Sequence, residues 1–345
     1  MIIIYVLAAI ASFSLLVFLH EVGHFLSAKI CGICVEELGF GFPPRIFGKK
    51  IGETTYSINW ILFGGFVKIV GMGGSDGENS DIPVERSFYH KGILKKIFFI
   101  TSGILSNFLI GWVLISLLFI KGVPQSVFIA DVKAGGIAAT AGIKPNDEVA
   151  NFKTVDELVA FIADNKGKEI TLDIKRKGET IPIKVVPRVE FPKEEGNLGI
   201  VLIESGFSQK GFLGGFKEGL LKSWEIVKGT FLGIIGLFSD IFGGKRGLVE
   251  SFMGPVGIVS FGTEAMKMGL NQFIYIFAMV SFNLSVINIF PIPGLDGSWL
   301  LFSFLRKVLG KYFKPQFEMI INNVGLLVIV LFMAIVTVKD VFGLF

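Results

Sequence analysis

Charge is scarce in this sequence: 18% of its 345 residues are Asp, Glu, Lys or Arg, whereas 52% are hydrophobic. A mean hydropathy of +0.67 excludes an ordinary soluble domain, and it excludes a disordered chain, whose composition is the reverse. Cysteine is nearly absent; two residues cannot staple a small secreted scaffold. With three histidines, the groups able to bind a metal or move a proton are few. A net charge of +4 on so apolar a chain gives no reason to expect nucleic acid as a partner. What the chain has in quantity is phenylalanine, 36, and glycine, 43, which suit lipid-facing surfaces and close helix contacts.

Crossing a hydrocarbon core takes roughly 20 helical residues. Ile2 to Leu19, Ile97 to Ile120 and Met319 to Val338 are uninterrupted apolar runs of about that length. A fourth, Gln272 to Phe290, contains Asn283 and Asn288 and breaks at Pro291 and Pro293. Four spans are therefore expected. The first run has neither a basic n-region nor a small-residue cleavage site and leads straight into His20 and Glu21, so it reads as a span and not as a removed signal. Phe231 to Phe238 is too short to span; behind Lys217, Glu218, Lys222, Glu225 and Lys228 it reads as an interfacial amphipathic helix. Arg45, Lys49, Lys50, Lys68, Arg86, Lys91, Lys95 and Lys96 lie between spans one and two, and Arg306, Lys307, Lys311 and Lys314 between spans three and four. Those loops are expected to face the cytoplasm. The amino terminus, the carboxyl tail and the stretch from Lys121 to about Leu270 are then extracytoplasmic.

That outer stretch contains the part that reads as a soluble domain. Thr154 and Glu157 form a capping box ahead of Val155, Leu158, Val159 and Ile162, which predicts a short amphipathic helix. Ile170 to Lys175 and Thr180 to Val186 flank Lys177-Gly178 as a hairpin. Together with the glycine- and alanine-rich loop from Gly135 to Val149, ending in Asn146-Asp147, this looks like a bacterial-type PDZ domain. Such a domain binds an extended peptide end by adding it as a strand to a sheet edge.

The chemistry stands at the end of the first span, in His20-Glu21-Val22-Gly23-His24. Residues four apart share a helix face, so both imidazoles can ligate one zinc, with Glu21 beside the attacking water. Ionisable groups at membrane depth are expensive and read as functional. A catalytic zinc takes three protein ligands. Asp296, in Asn288-Ile289-Phe290-Pro291-Ile292-Pro293-Gly294-Leu295-Asp296-Gly297, is the acidic residue set where prolines and glycines break a span. Irregular backbone at that depth is tolerated where it lines a polar cavity, which makes Asp296 the candidate third ligand.

These features together resemble the site-2 protease family of intramembrane zinc metalloproteases, and in particular its bacterial branch that cleaves anti-sigma factors. Gly39-Phe40-Gly41-Phe42-Pro43, Gly64-Gly65-Phe66-Val67-Lys68, Asn107 and Gly254-Pro255-Val256-Gly257-Ile258 carry the resemblance further. Gly103-Ile104 stands where the family often has Gly-Pro, and there is room for one PDZ domain where many relatives carry two. The resemblance implies a polytopic α-helical membrane protein of the plasma (inner) membrane with a membrane-associated β-hairpin and an inserted α+β PDZ-like domain. Its parts would be a first helix with the zinc motif (1–30), a cytoplasmic-side loop and hairpin (31–96), a second helix (97–120) and the PDZ-like domain (122–190). A linker with an amphipathic helix (191–269), a broken third helix with the Asp ligand (270–305) and a fourth helix (319–338) would follow.

The implied activity is hydrolysis of transmembrane segments of single-span membrane proteins, such as pretrimmed anti-sigma factors or remnant signal peptides. Zinc on His20, His24 and Asp296 would activate water, and Glu21 would be the general base. Asn288 would hold the substrate backbone or the tetrahedral oxygen. The segment Tyr56 to Val70, centred on Gly64-Gly65, reads as a hairpin with its turn at the glycines. The resemblance implies that its edge, with Gly64, Gly65 and Phe66, receives the substrate as an extended strand. At about 1.5 Å per residue the first helix brings the zinc toward the cytoplasmic side. Cys31 and Cys34 form a CxxC without a second pair or a βαβ setting and read as free thiols. A non-cutting scaffold would have lost Glu21 or a ligand, and a membrane peptidase of the prenyl-protein processing type would take a glutamate from another helix as third ligand.

Overall fold

The computed structural model describes residues 2–72, 83–133, 135–145, 147–176, 178–189, 196–243, 252–312 and 315–342. Asn146, Lys177 and Lys314 of the motifs above lie outside them. In chain order the elements are α1 (Ile2–Cys31), β1 (Val35–Ile51), β2 (Thr54–Ile69), α2 (Ile93–Lys121), β3 (Val123–Val132), α3 (Ile137–Thr140), β4 (Glu148–Val149), α4 (Val155–Asp164), β5 (Ile170–Arg176), β6 (Glu179–Val185), β7 (Ile200–Phe207), α5 (Phe212–Phe242), α6 (Pro255–Met268), α7 (Leu270–Ile287), α8 (Asp296–Leu309) and α9 (Pro315–Phe342). The chain divides into one compact unit of residues 1–117 and 216–345 and a second of residues 118–215.

In the first unit, α1, α2, α7 and α9 are the four described helices long and apolar enough to cross a membrane. Helix is the solution such runs adopt, because hydrocarbon offers the backbone no other hydrogen-bonding partners. The α1–α2 contact is made of small residues. A Cβ on Gly23 would lie 2.7 Å from the Ser102 carbonyl oxygen, and the Ser27 and Ser102 hydroxyls are 2.7 Å apart. Helices so lined approach closely enough for van der Waals packing and hydrogen bonds to hold them where the hydrophobic effect does not act. α7 is tied to the same helix by two hydroxyls: Ser281 donates to the Asn107 carbonyl at 2.7 Å and Ser285 to that of Ile104 at 2.9 Å. Ala28, Cys31, Ile33, Phe88, Phe99 and Trp299 pack into a buried cluster below the end of α1.

β1 and β2 form an antiparallel hairpin in which Ile51 faces Thr54. This corrects the expected turn position. The turn is at Gly52-Glu53, and Gly64-Gly65 lies well inside β2. The glycines serve close approach to α1 instead: a Cβ on Gly64 would come within 3.0 Å of Val17, and one on Gly65 within 3.1 Å of the Phe18 ring. The short interfacial helix expected at Phe231 to Phe238 is also corrected. α5 is a single helix of 31 residues. Glu218, Lys222 and Glu225 are spaced to share one of its faces, and Lys222 pairs with Glu225 at 2.8 Å.

The second unit is a five-stranded sheet in the order β6-β5-β4-β3-β7. α4 has the full Thr154–Glu157 capping box, which satisfies two otherwise orphaned donors. The sheet extends past the expected boundary at residue 190, because β7 pairs with β3 from Val123↔Phe207 to Val132↔Ile200. The core contains Val127, Ile129, Leu158, Leu172, Ile174 and Leu198.

One buried charge in this unit gives a test of its stability. Asp147, 2% exposed, receives a two-pronged contact from Arg176, with Nε and Nη2 each at 2.7 Å, and the Lys144 N–H at 2.8 Å. Burial pushes its carboxyl up, but the Arg176 and Lys144 hydrogen bonds outweigh that and hold it below its ordinary 3.8. Because the folded value is depressed, the stabilisation is present above the unfolded value and is lost as pH falls through the folded one. Asp147→Ala should cost about 1–2 kcal/mol at pH 7, the worth of hydrogen bonds to a charged group, since the Lys144 N–H loses its acceptor while Arg176, which water can reach, is rehydrated. The difference should shrink as pH falls below about 4. Denaturant unfolding of both proteins at pH 7 and pH 3 measures it.

Candidate metal centre

α1 brings His20 and His24 to one face, and both side chains are buried, 6% and 4% exposed. Their Nε2 atoms are 3.2 Å apart. α2 fixes the far side of each ring. The His24 Nδ1 lies 2.9 Å from the Phe99 carbonyl oxygen; a carbonyl can only accept, so Nδ1 carries the proton and the Nε2 lone pair is free. His20 Nδ1 lies 3.2 Å from the side-chain amide of Asn107, itself 1% exposed. The other amide atom, Oδ1, is buried without a partner. Rotating that amide by 180° puts its oxygen against His20 Nδ1–H and gives the second ring the same tautomer as the first.

Gly103 lies over the pair. A Cβ there would come within 2.3 Å of His24 Nε2 and 2.8 Å of His20 Cε1, so any larger residue would fill the space in front of the two nitrogens. In the sequence Gly103 stands out only as a family signature. A glycine inside an apolar helix marks close approach, but the rings it faces lie some 80 residues away in the chain and are set by tertiary packing.

Asp296 comes from the break after α7. The helix ends at Asn288, whose carbonyl accepts the Gly297 N–H at 2.8 Å, and Asp296 opens α8. Its Oδ2 is 3.0 Å from His20 Nε2 and 3.2 Å from His24 Nε2. Among the described residues, His20, His24 and Asp296 are the group of three whose donor atoms all lie within 4.8 Å of one another. Cys31 and Cys34 are buried free thiols outside it. Tetrahedral zinc with bonds of about 2.0–2.1 Å sets its donors roughly 3.3–3.4 Å apart. Two imidazole nitrogens and a carboxylate oxygen at 3.0–3.2 Å match that spacing and chemistry.

Glu21 follows His20 and lies within electrostatic reach of His24, His20 and Asp296, and its carboxylate accepts a hydrogen bond from the Val67 backbone N–H. β2 therefore holds Glu21, a link that the sequence did not reveal. Gly64 and Gly65 seat β2 on α1 one turn before His20, and the Phe66 ring stacks on Phe42 with centroids 6.4 Å apart. Asn288 is tied into the break by its backbone.

The model of the family described as Peptidase family M50 matches residues 8–332. A zinc metalloprotease RasP of Oceanobacillus iheyensis is 28% identical over 99% of both chains. The regulator of sigma-W protease RasP of Bacillus subtilis is 26% identical, again over 99% of both. A Clostridium perfringens protein provisionally named a zinc metalloprotease is 29% identical over 98% of each chain.

Proposed function

Because the chain belongs to peptidase family M50, the site-2 proteases, and is a zinc metalloprotease, we propose that it cuts single-span membrane proteins within their transmembrane segments. Anti-sigma factors already trimmed by another protease, or signal peptides left in the membrane, are the substrate types. The observation that carries this reading is the set of three donor atoms at 3.0–3.2 Å beside Glu21, two of them inside the apolar helix α1.

His20, His24 and Asp296 would hold the zinc, which supplies Lewis-acid polarisation of the scissile carbonyl and acidifies water. Phe99 and Asn107 orient the two rings so that Nε2 points inward. Glu21, steadied by the Val67 N–H, takes the proton from the attacking water and passes it to the leaving amide nitrogen. Asn288, where α7 ends, would donate to the substrate backbone or to the oxygen that becomes negative. The substrate must be extended to be cut. β2 pairs with β1 alone among the described strands, and the substrate strand would add to its other edge near Gly64, Gly65 and Phe66.

In the second unit, β7 ends the described sheet and α4 lies beside it, with the Val155 N–H donating to Glu204 of β7 at 3.3 Å. The open edge of β7, where Val201 and Ile203 are exposed, suits an extended peptide end in the manner of a PDZ domain. This unit and the amino terminus would face outward and the zinc would lie toward the cytoplasm, since the loops rich in Lys and Arg flank spans one and two, and three and four. Its role would be to screen substrates by size or terminus.

The test is cleavage of a purified single-span substrate in proteoliposomes, with cut sites mapped by mass spectrometry. Cuts within the span, abolished by a zinc chelator and faster when Gly or Pro replaces Leu near the site, are expected. Cuts confined to the extramembrane parts would contradict the proposal.

A further inference from the structure

Asn322 stands inside the apolar run of α9, where an amide is costly unless it is hydrogen-bonded. α9 contributes no group to the centre described above. Yet Asn322 Oδ1 accepts a hydrogen bond from the Gly294 N–H at 2.7 Å and lies 2.9 Å from the Ser298 hydroxyl, whose single proton it shares with the Leu295 carbonyl at 2.6 Å. Gly294 and Ser298 are two before and two after Asp296. A single amide oxygen thus bridges the turn that presents the carboxylate.

The contact around this bridge is close. Gly294 has φ +100°, and a Cβ on it would come within 2.9 Å of the Leu326 backbone nitrogen. A Cβ on Gly325 would lie 2.3 Å from Pro293. The backbone of the turn therefore rests directly on α9, one helical turn from Asn322. Asn323, the next residue, is exposed and takes part in none of these contacts.

We infer that Asn322 is a positioning residue for the third ligand: its oxygen fixes the Gly294–Ser298 turn and, through it, sets the Asp296 carboxylate against the two histidines. The inference rests on Asp296 being a ligand. The histidines sit on one continuous helix and are held from behind by Phe99 and Asn107. Asp296 follows a segment with two prolines and two glycines nearby, whose backbone has many alternatives once its anchor is gone. A ligand held loosely loses affinity through the entropy of ordering it on binding, which is why groups behind the ligands matter. A carboxylate at position 322 can accept the Gly294 N–H and share the Ser298 proton in the same way, and a leucine of similar volume can do neither.

Zinc affinity of the purified full-length chain in detergent, measured by competition with a chelator of known affinity, tests this. Asn322→Leu should weaken zinc by about 10- to 100-fold, the range for groups that orient a ligand. Asn322→Asp should return it to within about threefold of wild type, and Asn323→Leu should leave it unchanged. Asp296→Ala is measured in parallel. Loss of zinc in Asp296→Ala with full retention in Asn322→Leu overturns the inference and leaves the ligand assignment standing. Wild-type zinc in Asp296→Ala removes the assignment and the inference together. An Asn322→Asp protein as weak as Asn322→Leu also overturns it, because general packing damage would then account for both.

Discussion

Glu21→Gln is expected to keep one zinc per chain and to lose peptide cleavage by at least 10²- to 10⁴-fold, the contribution typical of a general base. The substitution changes almost no volume. The amide oxygen of Gln can still accept the Val67 N–H that the carboxylate accepts now, so β2 keeps its hold on the side chain. His20, His24 and Asp296 are untouched, and so are the Phe99 and Asn107 contacts behind the rings. What disappears is a group that can take a proton at neutral pH. Elemental analysis of the purified variant and a cleavage assay in proteoliposomes read the two halves separately. Wild-type cleavage by a variant of confirmed sequence and zinc content would show that another group is the base.

Asp296→Ala is expected to lose zinc by more than the 10- to 100-fold that removal of an orienting group costs, and to lose activity with it. Two imidazoles would remain, one short of the three protein ligands usual at a catalytic zinc. Asp296→Asn should fall between the two, because a neutral amide oxygen is a poorer ligand than a carboxylate but occupies the same place. Equilibrium dialysis against buffered zinc orders the three proteins. If both variants retain zinc as tightly as wild type, Asp296 is not a ligand.

The centre was legible in the sequence because its parts follow short-range rules. Two histidines four apart on an apolar helix must share a face, and a carboxylate where prolines break a span needs a polar cavity to line. The four spans were legible for the same reason: length and hydropathy decide them, and the helices α1, α2, α7 and α9 coincide with the apolar runs. Contacts made through space were not legible. Asn107 behind His20, Gly103 in front of it and Asn322 behind Asp296 lie on other helices, and no local pattern announces which residue they will meet.

The errors have physical causes as well. Gly64-Gly65 has the composition of a turn, but glycine also permits close backbone approach, and the packing of β2 on α1 used it so. β1 contains Pro43, Pro44 and three glycines, and so has little strand propensity of its own. It is a strand because β2 pairs with it. Ile200 to Ile203 is a run of four apolar residues without alternation, which periodicity cannot assign; β7 was missed on that account, and with it the true extent of the sheet. In α5 the charged turns and the apolar stretch read as two segments, although a helix accommodates both when the charges fall on one stripe.

The most direct test of the proposed centre is X-ray absorption at the zinc edge on the purified, active protein. Two imidazole nitrogens and oxygen donors at about 2.0–2.2 Å, with no sulfur shell, are expected for zinc on His20, His24 and Asp296. His24→Ala should then show the imidazole scattering of one ring in whatever zinc remains. A sulfur shell near 2.3 Å, which only Cys31 and Cys34 or a methionine could supply, or wild-type imidazole scattering in the His24→Ala protein, would contradict the assignment.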